Sequence, residues 1–144
     1  MRPINEPGFL PGLLLENGVL IVDTEKLLYP GDMLHEAGHL ATMPPEVRET
    51  TSGNLPDTEK NRGGELMALA WSYAACIHLG LDPSVVFHAD GYRGGSQSII
   101  ENFTEGRYIG VFGLEWRGMA YDKKRAKEFN ARPYPHMISW VKEN

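Results

Sequence analysis

The chain has 144 residues, enough for one domain with a buried core and too few for an enzyme with large accessory domains. Its hydrophobic (42%) and charged (23%) fractions are those of a soluble globular protein, and a formal charge of −5 speaks against a nucleic-acid surface, which needs clustered Lys and Arg. A single cysteine, Cys76, excludes an internal disulfide and a structural cysteine-rich zinc site, and reads as a small buried hydrophobe.

The N-terminal stretch MRPINEPGFLPGLLLENG lacks a charged region followed by a long apolar one, and Pro3, Pro7 and Pro11 interrupt it. No span approaches the ~20 apolar residues of a membrane helix. The expectation is a soluble, most simply cytoplasmic protein with neither membrane nor nucleic acid as partner. Gly12 to Val22 (GLLLENGVLIV) sets two apolar runs around Asn17-Gly18, the strongest short hairpin signal. The second arm leads through Asp23-Thr24 and Leu27-Leu28-Tyr29 to a break at Pro30-Gly31.

Gly31 to Thr42, GDMLHEAGHLAT, holds the pattern HExxH as His35, Glu36, Ala37, Gly38 and His39. Leu34, Ala37, Gly38 and Ala41 recur at i, i+3, i+4 and i+7, an apolar stripe with small members that lets another element come close. Pro30-Gly31-Asp32 offers a break and an N-cap, and Pro44-Pro45 forbids continuation, leaving about three turns. On that helix His35 and His39 lie about 40° apart and about 6 Å along the axis, so both imidazoles can reach one metal ion. Glu36 lies beside them, where a carboxylate can take a proton from a metal-activated water without being a ligand. The competing reading is a chance match, with the histidines exposed or satisfied in the core.

Met43 to Arg62 is rich in Pro, Thr, Asn and charge without periodicity, and reads as a long loop bordering a substrate cleft. Gly63 to Leu79, GGELMALAWSYAACIHL, reads as a largely buried helix closed by Gly80. Its acidic residue, Glu65, has two readings. It complements the helix dipole in the first turn, or it is the third metal ligand, because a catalytic zinc takes three protein ligands and His₂Glu is such a set.

Asp82 and Pro83 make a fresh helix start as N-cap and N1. The loop from His88 to Ser96 gathers polar and glycine residues before a helix from Ser96 to Phe103 that Ser96 can cap. It can supply the donor for a developing oxyanion, with Tyr92, Arg93 or His88 as candidates, or be an ordinary capped turn. Tyr108, Phe112 and Trp116, at i, i+4 and i+8, read as core or cleft wall. Tyr121 to Asn130, with its short basic run Lys123-Lys124-Arg125 and Lys127, reads as a solvated helical surface piece. Arg132 to Val141 is proline-broken and then apolar, and is expected to pack back on the domain.

HEAGH, followed after 25 intervening residues by a glutamate opening a second helix, resembles the gluzincin group of zinc metallopeptidases. The short chain is similar to its minimal single-domain members, and the resemblance covers Gly31 to about Leu79. It implies an α+β, zincin-like domain over residues 1–144, mainly helical, with a small N-terminal hairpin on the HExxH helix. It implies Zn²⁺ as cofactor, His35, His39 and Glu65 as ligands, Glu36 as general base, and a peptide or protein as substrate. The best-known members carry an acidic residue one turn after the glutamate ligand. Here that position is Leu69, so the partner orienting the histidines is expected among Asp32, Asp57, Glu59 and Asp90. Alternatives are a zinc-containing binding or regulatory module without catalysis, and hydrolysis of a non-peptide amide.

Overall fold

The computed structural model describes residues 12–52, 62–88 and 95–143. Strands β1 (Leu13–Glu16) and β2 (Val19–Val22) form a two-stranded antiparallel sheet, and helices α1 (Gly31–Thr42), α2 (Pro45–Arg48), α3 (Arg62–Leu79), α4 (Ser96–Thr104), α5 (Val111–Trp116) and α6 (Lys123–Glu128) follow. The fold is thus mixed helix and small antiparallel sheet, with helix predominant. No helix among the described residues is long and apolar enough to cross a membrane.

Asn17 and Gly18 both take positive φ, 51° and 80°, the primed turn that matches strand twist and sets the register Leu13 to Val22 and Leu15 to Leu20. One face of the hairpin is then apolar and buried through Leu13, Leu15 and Val22. The turn is fastened to the chain after α2 by Gly18 N–H donating to Thr51 O at 2.9 Å and Asn17 N–H to Ser52 Oγ at 2.9 Å. β2 packs on α1.

α3 is the axis of the core. Ten consecutive residues, Met67 to Cys76, are buried, so this stretch is covered on every side, as an all-round apolar helix requires. Phe87, Phe103, Leu114 and Met119 close around it, and Tyr134 reaches in to donate its hydroxyl to Ala70 O at 2.6 Å. The last turn of α3, Ile77 to Leu79, is exposed. It ends in a Schellman arrangement, with Gly80 at φ 72°, Leu81 N–H on Cys76 O and Gly80 N–H on Ile77 O. The segment expected to pack back does so: Trp140 meets Trp71 edge-on at 5.6 Å and accepts its indole N–H at 2.9 Å.

Several expectations are corrected. The N-cap of α1 falls within Pro30-Gly31-Asp32, at Pro30, but no side chain caps it, and the Asp32 side chain points to His88 instead. The stretch after Met43 is not loop throughout, since Pro44 and Pro45 end one helix and begin the short α2; residues 53–61 lie outside the described residues. Asp82 caps as expected, accepting from Ser84 N at 2.9 Å, but starts only a 3-10 turn, Pro83–Val85. Ser96 does not cap α4, which starts from Gly95. Of the aromatic trio, Tyr108 packs against the core while Phe112 and Trp116 are over 80% exposed, because α5 buries Val111 and Leu114 instead.

Candidate metal centre

α1 and α3 meet through Gly38, whose missing side chain lets the helices approach. A Cβ there would stand 3.1 Å from Ala68 O and 3.2 Å from the Trp71 ring. Contacts run in opposite order along the two helices. Ser72 Oγ lies 3.3 Å from Leu34 O, Gly38 faces Ala68, and His39 faces Glu65. The first turn of α3 therefore lies beside the last turns of α1.

That placement brings three side chains together. His35 Nε2 lies 2.9 Å from one oxygen of Glu65, His39 Nε2 lies 2.8 Å from the other, and the two Nε2 atoms are 3.2 Å apart. Each imidazole N–H donates to the shared carboxylate. Both histidines are buried, whereas the Glu65 side chain is 46% exposed, so the cluster sits at the edge of the core with its carboxylate toward solvent.

The electrostatics follow from that position. Burial disfavours the charged form of His35, but the hydrogen bond and charge of Glu65, backed by Glu36 and Asp32, outweigh it and hold the imidazole pKa above its ordinary value. Burial would raise the Glu65 carboxyl. Its hydrogen bonds from His35 and His39 overcome this and hold it well below the usual carboxylate range. Glu36 behaves oppositely. Buried beside the cluster and tied by no hydrogen bond to a described residue, it is pushed up by desolvation against the pull of His39 and His35.

The donor set fits a small divalent cation. The one donor atom each of His35, His39 and Glu65 all lie within 4.8 Å of one another. Bonds of about 2.0–2.1 Å in a tetrahedron put ligand atoms about 3.3 Å apart, close to the separation of the two Nε2 atoms, and the carboxylate would draw back by about 0.5 Å. Two imidazoles and one carboxylate form a donor set that a borderline divalent cation, zinc among them, accepts. Cys76 is no part of the cluster; it is sealed in the core.

Of the other candidates, Tyr92, Arg93, Asp57, Glu59 and Asp90 lie outside the described residues. His88 is placed at the head of α1, its Nε2–H donating to Asp32 at 2.8 Å and its ring stacked on Tyr29 at 3.8 Å. Asp32 therefore serves His88 rather than orienting His35 or His39 directly. Two arginines that the sequence did not mark surround the site helix. Arg48 donates to Leu40 O and Met43 O, and Arg117 donates to Thr42 O. Nothing in their spacing announces this, because Arg117 comes from 75 residues away. The chain matches no protein-family model, no curated protein and no solved structure.

Proposed function

We propose that the protein is a zinc-dependent metallohydrolase of gluzincin type, a zincin-like single domain acting on peptide bonds. The observation that carries the reading is the convergence of His35, His39 and Glu65 on one point, with a buried Glu36 beside them that has no hydrogen bond to a described residue. A structural His-Glu-His cluster would need no such neighbour. Desolvating a second carboxylate beside that cluster is unfavourable, as the raised Glu36 carboxyl reflects, and a proton-accepting role gives it a reason to be there.

In this reading His35, His39 and Glu65 would hold the metal, with the half-exposed Glu65 on the solvent side of the cluster. A bound zinc supplies a water of pKa near 7 rather than ~15.7 and a Lewis acid for the scissile carbonyl. Glu36 accepts the water's proton and later passes it to the leaving amine, a task suited to a carboxyl that burial raises above its ordinary value. The substrate is a peptide or protein, and the compartment is the cytoplasm, where a lone buried Cys76 stays reduced.

The test is metal analysis of the purified chain followed by a peptide library. About one zinc per chain is expected, lost in His35→Ala and His39→Ala. Stoichiometric zinc surviving in the double variant overturns the site. Zinc binding without cleavage across the library favours a non-catalytic zinc module.

A further inference from the structure

His39 belongs to the last turn of α1, with only Leu40, Ala41 and Thr42 after it. The carbonyls of these four residues lie beyond the i to i+4 ladder. Locally His39 O receives only the Thr42 hydroxyl at 3.3 Å and Leu40 O only the Met43 cap N–H at 3.2 Å, and a turn so placed frays unless further groups satisfy it. A donor that must hold an atom within a fraction of an ångström of a common point is poorly served there.

Elements remote in sequence close this end. Arg48 Nε–H donates to Leu40 O at 2.7 Å, and its Nη2 donates to Met43 O and to Lys142 O, each at 2.8 Å. Lys142 N–H donates to Ala41 O at 2.8 Å. Arg117 Nε–H donates to Thr42 O at 2.9 Å, and Thr42 Oγ1 turns back onto Gly38 O at 2.9 Å. Two residues before Lys142, Trp140 is fixed to Trp71 of α3 by a hydrogen bond and a ring contact. Residues 140–142 thus bind both helices that carry the cluster, and Arg48 is the joint on the α1 side.

We propose that Arg48 is a positioning residue for the metal centre. By tying the final carbonyls of α1 to Lys142, it keeps His39 Nε2 aimed at the point shared with His35 and Glu65, and Arg117, which follows α5, closes the same turn. The role needs a planar fork that donates along two directions at once. A lysine ammonium keeps the charge favoured at a helix C-terminus but not that geometry. The proposal rests on the metal reading of His35, His39 and Glu65.

The experiment uses the full chain and Co²⁺, read by its d–d absorption, together with amide hydrogen exchange of the metal-free protein. Arg48→Met is expected to bind Co²⁺ at least about tenfold more weakly with an altered band, as for other groups that orient metal ligands. It should also speed exchange at Leu40 to Met43. Arg48→Lys should remain weakened. Tyr134→Phe, which loses the hydroxyl donated to Ala70 O, serves as the stability control and should lower Tm while leaving Co²⁺ affinity unchanged. Wild-type affinity, band and exchange in Arg48→Met overturn the proposal, as does loss of Co²⁺ affinity in step with Tm in both Arg48→Met and Tyr134→Phe. Failure of the metal reading shows separately, as no Co²⁺ uptake by the unaltered chain, and removes the proposal with it.

Discussion

Gly38 faces Ala68 so closely that a Cβ would come within 3.1 Å of the Ala68 carbonyl oxygen and 3.3 Å of its Cα. Both are backbone atoms, which cannot swing aside as a side chain would. Gly38→Val is therefore expected to push α1 off α3 and destabilise the fold by about 1–3 kcal/mol, as overpacking does. The better helix propensity of valine over glycine offsets less than about 1 kcal/mol of this. The same displacement separates Glu65 from the two histidines, so metal affinity should fall with the urea midpoint. An unchanged midpoint would show that the helices part without penalty.

The two acidic residues of the centre should separate by role. Glu65→Ala removes a donor atom and is expected to weaken zinc binding and, through it, the thermal stability of the zinc-bound protein. Glu36→Gln keeps the shape and touches no metal bond. Zinc content and Tm should stay near wild type while hydrolysis falls by ~10²–10⁴-fold. Zinc lost from Glu36→Gln, or retained tightly by Glu65→Ala, would reverse the assignments.

The stability of the metal-free protein should respond to pH in a defined direction. His35 is raised above its ordinary 6.5, so its contribution is present below that value and is lost as pH climbs through the raised one. Glu65 is lowered from 4.5, so its contribution is present above that value and is lost on further acidification. Glu36 is raised from 4.5, so its contribution is present below that value and is lost as pH climbs through the raised one. The contributions of His35 and Glu65 are thus both in place between the ordinary carboxylate and histidine ranges, while that of Glu36 declines from the lower edge of that window upward. Zinc must displace the His35 proton, so its added stabilisation should grow with pH. Melting with and without zinc at about pH 5.5 and about pH 7.5 checks this, and a zinc increment larger at the lower pH would contradict the coupling.

Cys76 should be chemically silent. It is fully buried on α3, and burial pushes its thiol up to about 11, leaving little thiolate at neutral pH. An aromatic disulfide reagent is expected to react with the native chain only at the rate of opening and to titrate one thiol at once in denaturant. Prompt reaction in the native state would place Cys76 at the surface.

Local chemistry made much of this legible. The bounds of α1 follow from Pro30 and Pro44-Pro45, the hairpin from Asn17-Gly18, and α3 from an apolar run closed by Gly80. The meeting of Glu65 with His35 and His39 was readable only as one of two options. Its first-turn position suits the helix dipole equally, and the choice turns on the approach through Gly38. Short elements and long-range bonds escaped. α2 is a four-residue helix inside a polar stretch, and α5 is too brief for periodicity to say which face is buried, so the i, i+4, i+8 spacing of Tyr108, Phe112 and Trp116 points inward when only Tyr108 packs on the core. The bonds of Arg48 and Arg117 depend on where distant carbonyls end up, which no spacing encodes.

The bond between Arg48 and Lys142 spans 94 residues and bears on the order of assembly. A chain made from its N-terminus has His35, His39 and Glu65 well before it has Trp140 and Lys142. Closing so large a loop carries an entropic penalty that local helix formation does not. α1 can form while its final turn still lacks the partner for Ala41 O. On the metal reading the centre would be fully braced only once the last segment docks, so tight zinc binding is expected late in maturation rather than as an early scaffold for it. Nascent chains halted before Trp140 would carry all three donors and still hold metal poorly.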